Sequence, residues 1–493
     1  MANVYRDSIG DAEYVARVRR HSPSSLVPLI AQTSAQYWQP GSWLKSPYRK
    51  YTPWALADIA RVSLTSGNEY RSAATQEDLL YCCAAYVAVS DAGLASNSPD
   101  SLTGFFLRIT SEQGYNQTPY NEVGRTVALF ENTQSSKPLK VIRPGWDTEL
   151  FGCTLSQYTG AGFFVQATAA HNAGMFSADW FNHPQLDPIT AVMPTEVLAS
   201  AVAQNFVGSL KWFHAQRSVP MASDYRRFTF NPLLARPVVA GVSNELLVPS
   251  ILLVLRKISP LGVYYAGAKK WGNSFTDDVG DLFEQYVGRQ LATIPNAQIH
   301  PEIVYDKGGK RSVDWVVVCA DAVILVEVKS VRPTEPVRMG TADAGAELRR
   351  MLGKAYKQVN TTDDRIAEQH PAFAHIPADL PRIGLIVTME RFDLANARPI
   401  QDLLDVTPKI PTTIAASEDI ERLVTLQDID VSAFLQKFLA DPTMSDGSRI
   451  SNALADKELG RNSVLDHAWD TYEWGPKMVL GQDLPDLQDG SGA

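Results

Sequence analysis

Apolar positions follow two different patterns along the chain, and the pattern changes near residue 265. Beyond Gly272, apolar runs with a period of two alternate with runs at helical spacing. This pattern predicts, in order, a helix over 277–292, strands near 299–305, 312–319 and 322–330, a helix over 344–360 and a strand over 382–389. The alternation indicates an α/β domain over residues 266–440.

Helical spacing is more common before residue 265. Residues 101–130 fit either two strands or a strand and a helix, and both alternatives stay open. The prediction is a largely helical N-terminal domain over residues 1–265, of unassigned role. Helices are predicted over 54–63, 78–90 and 194–217, the last with Thr195 as its cap.

Three further segments are predicted to be extended or loose. Prolines interrupt the apolar runs 230–239 and 246–265. Because proline lacks an N–H and disfavours the helical conformation in the residue before it, these runs are expected to be extended, buried connections at a domain junction. Residues 441–493 are polar and are expected to form a loose C-terminal extension.

The composition is that of a globular protein, with 45% apolar and 20% charged residues among 493. A chain of this length exceeds what one core usually organises, which predicts two or three domains. The net charge of −9 opposes long-range attraction of the whole molecule to nucleic acid, so a nucleic-acid site requires a local basic patch. Residues 296–360 supply one, with ten Lys and Arg against eight Asp and Glu.

Cysteine spacing and hydropathy favour an intracellular, membrane-free setting. The first residues lack the apolar core of a secretory signal, and no apolar run is long enough to span a bilayer. The expected location is therefore the cytoplasm. Neither a zinc site nor a disulfide framework matches the spacing of Cys82, Cys83, Cys153 and Cys319.

Two β-rich runs in RSVDWVVVCADAVILVEVKS meet at Ala320-Asp321 and predict a hairpin. Strand alternation places Glu327 and Lys329 on one face of the second strand. Asp314 lies 13 residues before Glu327, on the neighbouring strand. Carboxylates within strands this apolar are costly to bury without a partner, which favours a functional site. The structural alternative is an edge-strand ion pair between Glu327 and Lys329.

Two carboxylates and a backbone carbonyl suit Mg²⁺, which prefers oxygen ligands and retains several waters. The predicted ligands are Asp314, Glu327 and the backbone of Val328, with Mn²⁺ as a substitute metal. A bound metal supplies hydroxide at neutral pH and offsets the charge that builds on phosphate oxygens during phosphodiester hydrolysis. Lys329 is predicted to orient the water or to stabilise that charge.

Asp314, followed by Glu327-Val328-Lys329 at the end of the adjoining strand, resembles the motif of the PD-(D/E)xK nuclease superfamily. The resemblance covers residues 271 to about 420, and Val313 stands where the motif has proline. It implies a restriction-endonuclease-like core, in which helices flank a mixed sheet. In the first helix, Glu284 resembles the glutamate that completes the metal site in many members, which adds it to the predicted catalytic residues.

The resemblance also implies contacts to nucleic acid. Lys354 and Gln358 match polar positions that some members use near the scissile phosphate, and a solvated helix face is the alternative interpretation for them and for Glu284. KGGKRS is predicted to form a hairpin turn whose basic side chains contact phosphate. The predicted nucleic-acid contacts are Lys307, Lys310, Arg311, Arg350, Lys354 and Gln358.

The implied function is a Mg²⁺-dependent endonuclease, with DNA expected as the substrate ahead of RNA. Defence against phage or plasmid DNA is the expected role, by analogy alone. The alternatives are a ribonuclease of the same fold, for instance on tRNA, and a catalytically silent nucleic-acid-binding or scaffold protein. A homodimer is compatible with cutting two strands, and residues 1–265 are the expected place for a regulatory ligand or partner.

Overall fold

The first half of the chain is built mainly from helices. The structure, a computed structural model, describes residues 8–39, 50–91, 99–113, 119–217, 223–392, 394–446 and 449–475. The helices before residue 273 are α1 (Asp11–Val18), α2 (Pro23–Trp38), α3 (Pro53–Ser66), α4 (Gln76–Ala88), α5 (Pro99–Gln113), α6 (Pro119–Phe130), α7 (Trp146–Phe151), α8 (Leu155–His171), α9 (Asp187–Thr190), α10 (Thr195–Asn205), α11 (Leu210–Ala215), α12 (Ile251–Ile258) and α13 (Pro260–Trp271).

A small sheet lies among these helices, in the order β1-β4-β3-β2. Its strands are β1 (Met175–Phe176), β2 (Val207–Ser209), β3 (Val238–Ala240) and β4 (Leu246–Leu247). Short 3-10 helices cover Ala178–Asn182, Pro184–Leu186, Ser223–Phe228, Pro232–Leu234, Pro371–Phe373 and Asp402–Leu404.

Helices α3 and α4 confirm the predictions over 54–63 and 78–90. The strand expected within 101–130 is wrong, because α5 and α6 occupy the described part of that segment. On α6, the β-branched Val123 and Val127 are fully buried in the core. Tertiary packing there outweighs the intrinsic preference of such residues for strands.

The single helix predicted over 194–217 is also wrong. Helix α10 ends at Asn205, and β2 separates it from α11. Strand β2 pairs in parallel with β3, so a partner distant in sequence interrupts the helical pattern. Thr195 begins α10 without capping it, because Pro194 occupies the cap position.

Residues 251–265 form helices α12 and α13, which corrects the expectation of extended segments. Pro260 is the first residue of α13, where a missing N–H leaves no hydrogen bond unmade. Pro260 therefore marks the start of a helix and not an extended segment.

The second half contains a five-stranded sheet in the order β11-β10-β9-β8-β5. Strand β9 runs antiparallel to β8 and parallel to β10, which confirms a mixed α/β architecture. The strands of this half are β5 (Gln298–Pro301), β6 (Val304–Tyr305), β7 (Lys310–Arg311), β8 (Trp315–Val318), β9 (Val323–Lys329), β10 (Arg382–Thr388) and β11 (Thr412–Ala416), with β6 and β7 paired as a separate hairpin.

Helices cover both faces of the five-stranded sheet. The helices of this half are α14 (Asn273–Leu291), α15 (Glu335–Met339), α16 (Ala344–Leu348), α17 (Lys354–Ala367), α18 (Arg398–Gln401), α19 (Ser417–Leu423), α20 (Val431–Ala440), α21 (Pro442–Ser445), α22 (Ile450–Ala453) and α23 (Ser463–Thr471), with a π-helical turn over Arg349–Gly353.

The two faces of β9 belong to different hydrophobic clusters. Ile324 and Val326 cluster with residues of α14. Val323 and Leu325 cluster with residues of α17. Because side chains alternate along a strand, Glu327 shares the α17 face with Val323 and Leu325.

The chain after residue 441 is not a loose extension as far as residue 475, which corrects that expectation. Tyr472, after α23, is fully buried, and its hydroxyl donates to the carbonyl of Val123 at 2.7 Å. One hydrophobic cluster contains Val123, Phe275, Ile324 and Tyr472, so it includes side chains from both sides of residue 265. Residues 476–493 lie outside the described part of the chain.

Tyr472→Phe is expected to lower the free energy of unfolding by about 1 kcal/mol, because it removes a buried hydrogen bond. Tyr81→Phe is the matched control, since Tyr81 is 64% exposed and the only hydrogen bond of its hydroxyl among the described residues is to Glu77, one turn away. Chemical denaturation measures both variants. Equal effects of the two substitutions would contradict the docking of the C-terminal segment.

None of the described helices has, by itself, the length and hydropathy of a membrane span. Helices α12 and α13 reach that composition only as a pair, and the pair is bent by 61°.

Candidate active site

The register of the β8–β9 hairpin brings Asp314 and Glu327 together. Val318 pairs with Val323 and Trp315 with Val326, so the next pair in this register is Asp314 with Glu327. Directly opposed residues of an antiparallel pair project to the same face, with Cα atoms about 4.5–5.5 Å apart. The N–H of Val328 donates to Asp314 Oδ2 at 2.6 Å, which fixes this carboxylate at the end of β9.

A third carboxylate extends this line across the sheet. Strand β5 pairs with β8 through Pro301 and Trp315, so the next pair in that register is Glu302 with Asp314. Glu302, Asp314 and Glu327 thus lie at neighbouring ends of three adjacent strands, and we name these three residues the carboxylate row. Arg311 binds its outer member, with Nη1 at 2.6 Å from Glu302 Oε2.

Helix α14 carries Glu284 close enough to Asp314 for the charge of Asp314 to raise the pKa of Glu284. The indole N–H of Trp315 donates to the carbonyl of Glu284 at 3.0 Å, which ties the helix to the start of β8. Gly288, one turn later, lies against the Trp315 ring so closely that a Cβ would overlap it. This close approach explains why glycine stands there and why Glu284 lies near Asp314.

Glu327 is the most enclosed member of the row. Its side chain is 0% exposed, Oε1 contacts Lys329 Nζ, and Oε2 is buried with no hydrogen-bond partner among the described residues. A buried carboxylate oxygen without a partner is energetically costly, because it has lost water and gained nothing in exchange. Lys329 is 26% exposed, so its side chain contacts the buried carboxylate of Glu327 and also reaches solvent.

Burial, and then the crowding of negative charge, raises the pKa of these carboxyl groups. Burial first, and the charge of Asp314 second, raise the pKa of Glu327 to about 8 although Lys329 lowers it. The same two causes raise the pKa of Glu284 to about 7. The pKa of Asp314 is raised by burial, against the hydrogen bond from Val328 and the charge of Lys329. All three carboxyls therefore lie where additional positive charge is favoured.

Oxygen atoms of the kind that divalent cations accept as ligands meet at this end of β9. Glu327 Oε2 needs a partner, and the N–H and C=O of Val328 project toward the edge of β9 where Asp314 lies. Within the described ranges, no three His, Cys, Asp or Glu side chains converge closely enough to hold a metal ion by themselves. Mg²⁺ does not require such a set, since it is commonly bound through one or two carboxylates and several waters.

The predicted nucleic-acid contacts lie on two elements. Lys307, Lys310 and Arg311 are exposed on the β6–β7 hairpin, which confirms the predicted turn in KGGKRS. Lys310 pairs with Asp306 and Arg311 with Glu302, so only part of their charge is available to a ligand.

The other predicted contacts lie on the helical segment that covers the Glu327 face. Lys354 is exposed at the start of α17, and Arg350 is exposed in the π-helical turn, paired with Glu347. Gln358 is half-buried, and its amide nitrogen donates to the carbonyl of Ser312 at 2.5 Å. Gln358 therefore supports the chain that leads into Asp314.

Glu302 is the site residue that the sequence does not reveal. It enters the row only through the pairing of β5 with β8, and a longer connection containing the β6–β7 hairpin separates these strands. Its influence is visible in the structure, because its charge contributes to the raised pKa of both Asp314 and Glu284. The sequence signal for Glu302 is an acidic residue directly after a short strand. It can be recognised only once the pairing of that strand is known.

No protein-family model, curated protein or solved structure matches this chain.

Proposed function

We propose that this protein is a metal-dependent nuclease with a restriction-endonuclease-like core. The observation that carries the proposal is the buried, unpartnered Glu327 oxygen beside Asp314 and Lys329 at the end of a β-hairpin. Hydrolysis of a phosphodiester requires a nucleophile and a means of offsetting negative charge, and carboxylates with an adjacent ammonium support both.

Each residue has a distinct role in this proposal. Asp314, Glu327 and the carbonyl of Val328 hold Mg²⁺ or Mn²⁺, which when bound lowers the pKa of water and offsets charge on the phosphate. Lys329 Nζ, already against Glu327, donates to the attacking water or to a phosphate oxygen. Glu284, whose pKa is raised to about 7, accepts or returns a proton near neutral pH.

DNA is the proposed substrate, and defence against phage or plasmid DNA is the proposed role. The support is the basic surface of the β6–β7 hairpin and of α17 beside a row of carboxylates, within a chain of net charge −9. The proposed cleavage is endonucleolytic, and a homodimer would provide one site for each strand.

Incubation of the full chain with supercoiled plasmid DNA and with total RNA, in Mg²⁺, Mn²⁺ or EDTA, tests the proposal. The expected result is nicked and linear plasmid in either metal and intact plasmid in EDTA. Cleavage of RNA alone would favour the ribonuclease of the same fold. Metal-independent cleavage, or none of either polymer, would contradict the proposed nuclease.

Lys354→Ala is expected to weaken DNA binding without changing its sequence dependence. Lys354 is exposed, and in the described part of the chain no carboxylate lies within salt-bridge distance of it. One lost phosphate contact reduces the slope of log K against log salt by about 1. Lys437→Ala is the matched control, because Lys437 is an exposed residue of α20. Fluorescence anisotropy over a salt series measures both, and identical slopes for the two variants would exclude Lys354 as a phosphate contact.

A further inference from the structure

A cavity of about 720 Å³ lies apart from the carboxylate row. Its wall includes residues of α3, α5, α12 and α13 and the segments that follow β9 and β10. Neither Glu284 nor any member of the carboxylate row lines it. A volume of several hundred Å³ is typical of sites for small molecules and cofactors.

The cavity wall is strongly basic. It contains eight Arg and Lys residues against three Asp and Glu residues, in a chain of net charge −9. One of the three acids, Asp58, is already bound by Arg61 and Arg226. The net field inside the cavity therefore favours an anion.

Several of these cations lack an acidic partner. Among the described residues, no carboxylate lies within salt-bridge distance of Arg236, Lys257, Arg332 or Arg338. The Nε of Arg338 and the Nε of Arg227 are buried and find no hydrogen-bond acceptor in the described part of the chain, and the side chain of Arg227 is only 8% exposed. Buried guanidinium N–H groups are costly to leave unpaired, and phosphate oxygens match their geometry.

Lys257 supplies a second kind of anion contact. Its Nζ lies 5.9 Å from the Tyr158 ring centroid and 5.8 Å from that of Phe206. Burial, with Arg236 and Lys269 nearby, lowers the pKa of Lys257 to about 7. An anion in the cavity would restore its full charge, because opposite charge favours the ammonium form.

Aromatic side chains lie beside the cations of the cavity wall. Arg332 lies 4.1 Å from the ring centroid of Tyr264 and 4.7 Å from that of Tyr265, which holds its guanidinium in place. Trp54, Trp212 and Phe228 also line the cavity and offer apolar faces for a planar ring. Cations and aromatic rings in one enclosed space fit a molecule that carries both phosphate and a flat base.

We propose that this cavity is a binding site for a phosphorylated small molecule of nucleotide size. Its position suits a regulatory ligand. Arg332 follows β9 three residues after Lys329, and Tyr265 lies on α13, which leads through Gly272 into the helix of Glu284. The proposal does not depend on the nuclease activity.

Isothermal titration of the full chain in EDTA with ATP, GTP, tripolyphosphate and adenosine tests the proposal. ATP or GTP is expected to bind, tripolyphosphate more weakly, and adenosine more weakly still. Lys257→Met and Arg338→Gln, on different parts of the wall, are each expected to weaken nucleotide binding by about tenfold or more. Lys437→Gln, outside the cavity, is expected to bind as the wild type does.

Thermal unfolding without ligand verifies that each variant is folded. Lys257→Met removes a charge repelled by its neighbours and is expected to be at least as stable as the wild type, so it remains informative if Arg338→Gln does not fold. Three results would overturn the proposal: no binding of either nucleotide, equal binding by wild type and Lys257→Met, or binding of adenosine as tight as ATP. If a single-stranded oligonucleotide binds with this dependence on Lys257 while ATP and tripolyphosphate do not, the cavity belongs to the path of a polynucleotide and the proposal is wrong.

Discussion

Glu327→Gln is expected to reduce metal-dependent cleavage at least about 100-fold, since it removes a charged oxygen where charge is most needed. The substitution preserves shape and removes a buried carboxylate whose Oε2 has no hydrogen-bond partner among the described residues. The variant protein without metal should therefore be at least as stable as the wild type near pH 8. Loss of activity together with retained or raised stability is a result that mere unfolding cannot produce.

The control for this substitution is Glu368→Gln, which changes an exposed carboxylate paired with Arg365. Initial rates of plasmid cleavage and thermal unfolding without metal are measured for both variants. Addition of Mg²⁺ should raise the Tm of the wild type and of Glu368→Gln and leave that of Glu327→Gln nearly unchanged. An active Glu327→Gln enzyme would remove this residue from the site.

The stability of the metal-free protein is expected to fall as pH rises from about 4.5 to about 8. In this window Glu327 keeps its proton in the folded chain, where its pKa is raised to about 8, and loses it in the unfolded chain. A raised acid pKa therefore lowers stability with increasing pH, by on the order of a few kcal/mol in full. Glu284, with its pKa raised to about 7, adds a change of the same sign.

Mg²⁺ should reverse this loss, because it binds the ionised carboxylates in preference to the protonated ones. The shift in Tm on adding Mg²⁺ is therefore expected to be larger at about pH 8 than at about pH 5. Urea denaturation over this range, for the wild type and Glu327→Gln, isolates the contribution of one carboxyl. A wild-type profile that coincides with that of Glu327→Gln would contradict the raised pKa of Glu327.

Much of the candidate site could be predicted from local sequence patterns. The β8–β9 hairpin could be predicted because both strands are apolar, short and adjacent in sequence, and this pairing alone brings Asp314 to Glu327. Helix α14 was predictable for a similar reason, since its apolar residues repeat at helical spacing. The assignment of these residues to catalysis remains a prediction.

The rest of the site and the basic cavity depend on packing between residues that are distant in sequence. No local sequence pattern indicates such contacts. Glu302 joins the row through the β5–β8 pairing, and Gly288 meets Trp315 only when α14 docks. Helix α12 was missed because its apolar residues between prolines resembled a buried connection. The basic cavity gathers Arg227, Lys257 and Arg338 from separate segments of the chain.

Cleavage of supercoiled plasmid by wild type and Lys329→Ala in Mg²⁺, measured side by side, tests the central claim most directly. Lys329 contacts Glu327 and reaches the surface, so its removal should lower the rate at least about 100-fold while DNA binding and the Mg²⁺-induced rise in Tm persist. Lys437→Ala should cleave as the wild type does. Wild-type cleavage that depends on Mg²⁺ and is lost in Lys329→Ala is the predicted result, and equal cleavage by Lys329→Ala and wild type would contradict the proposed active site.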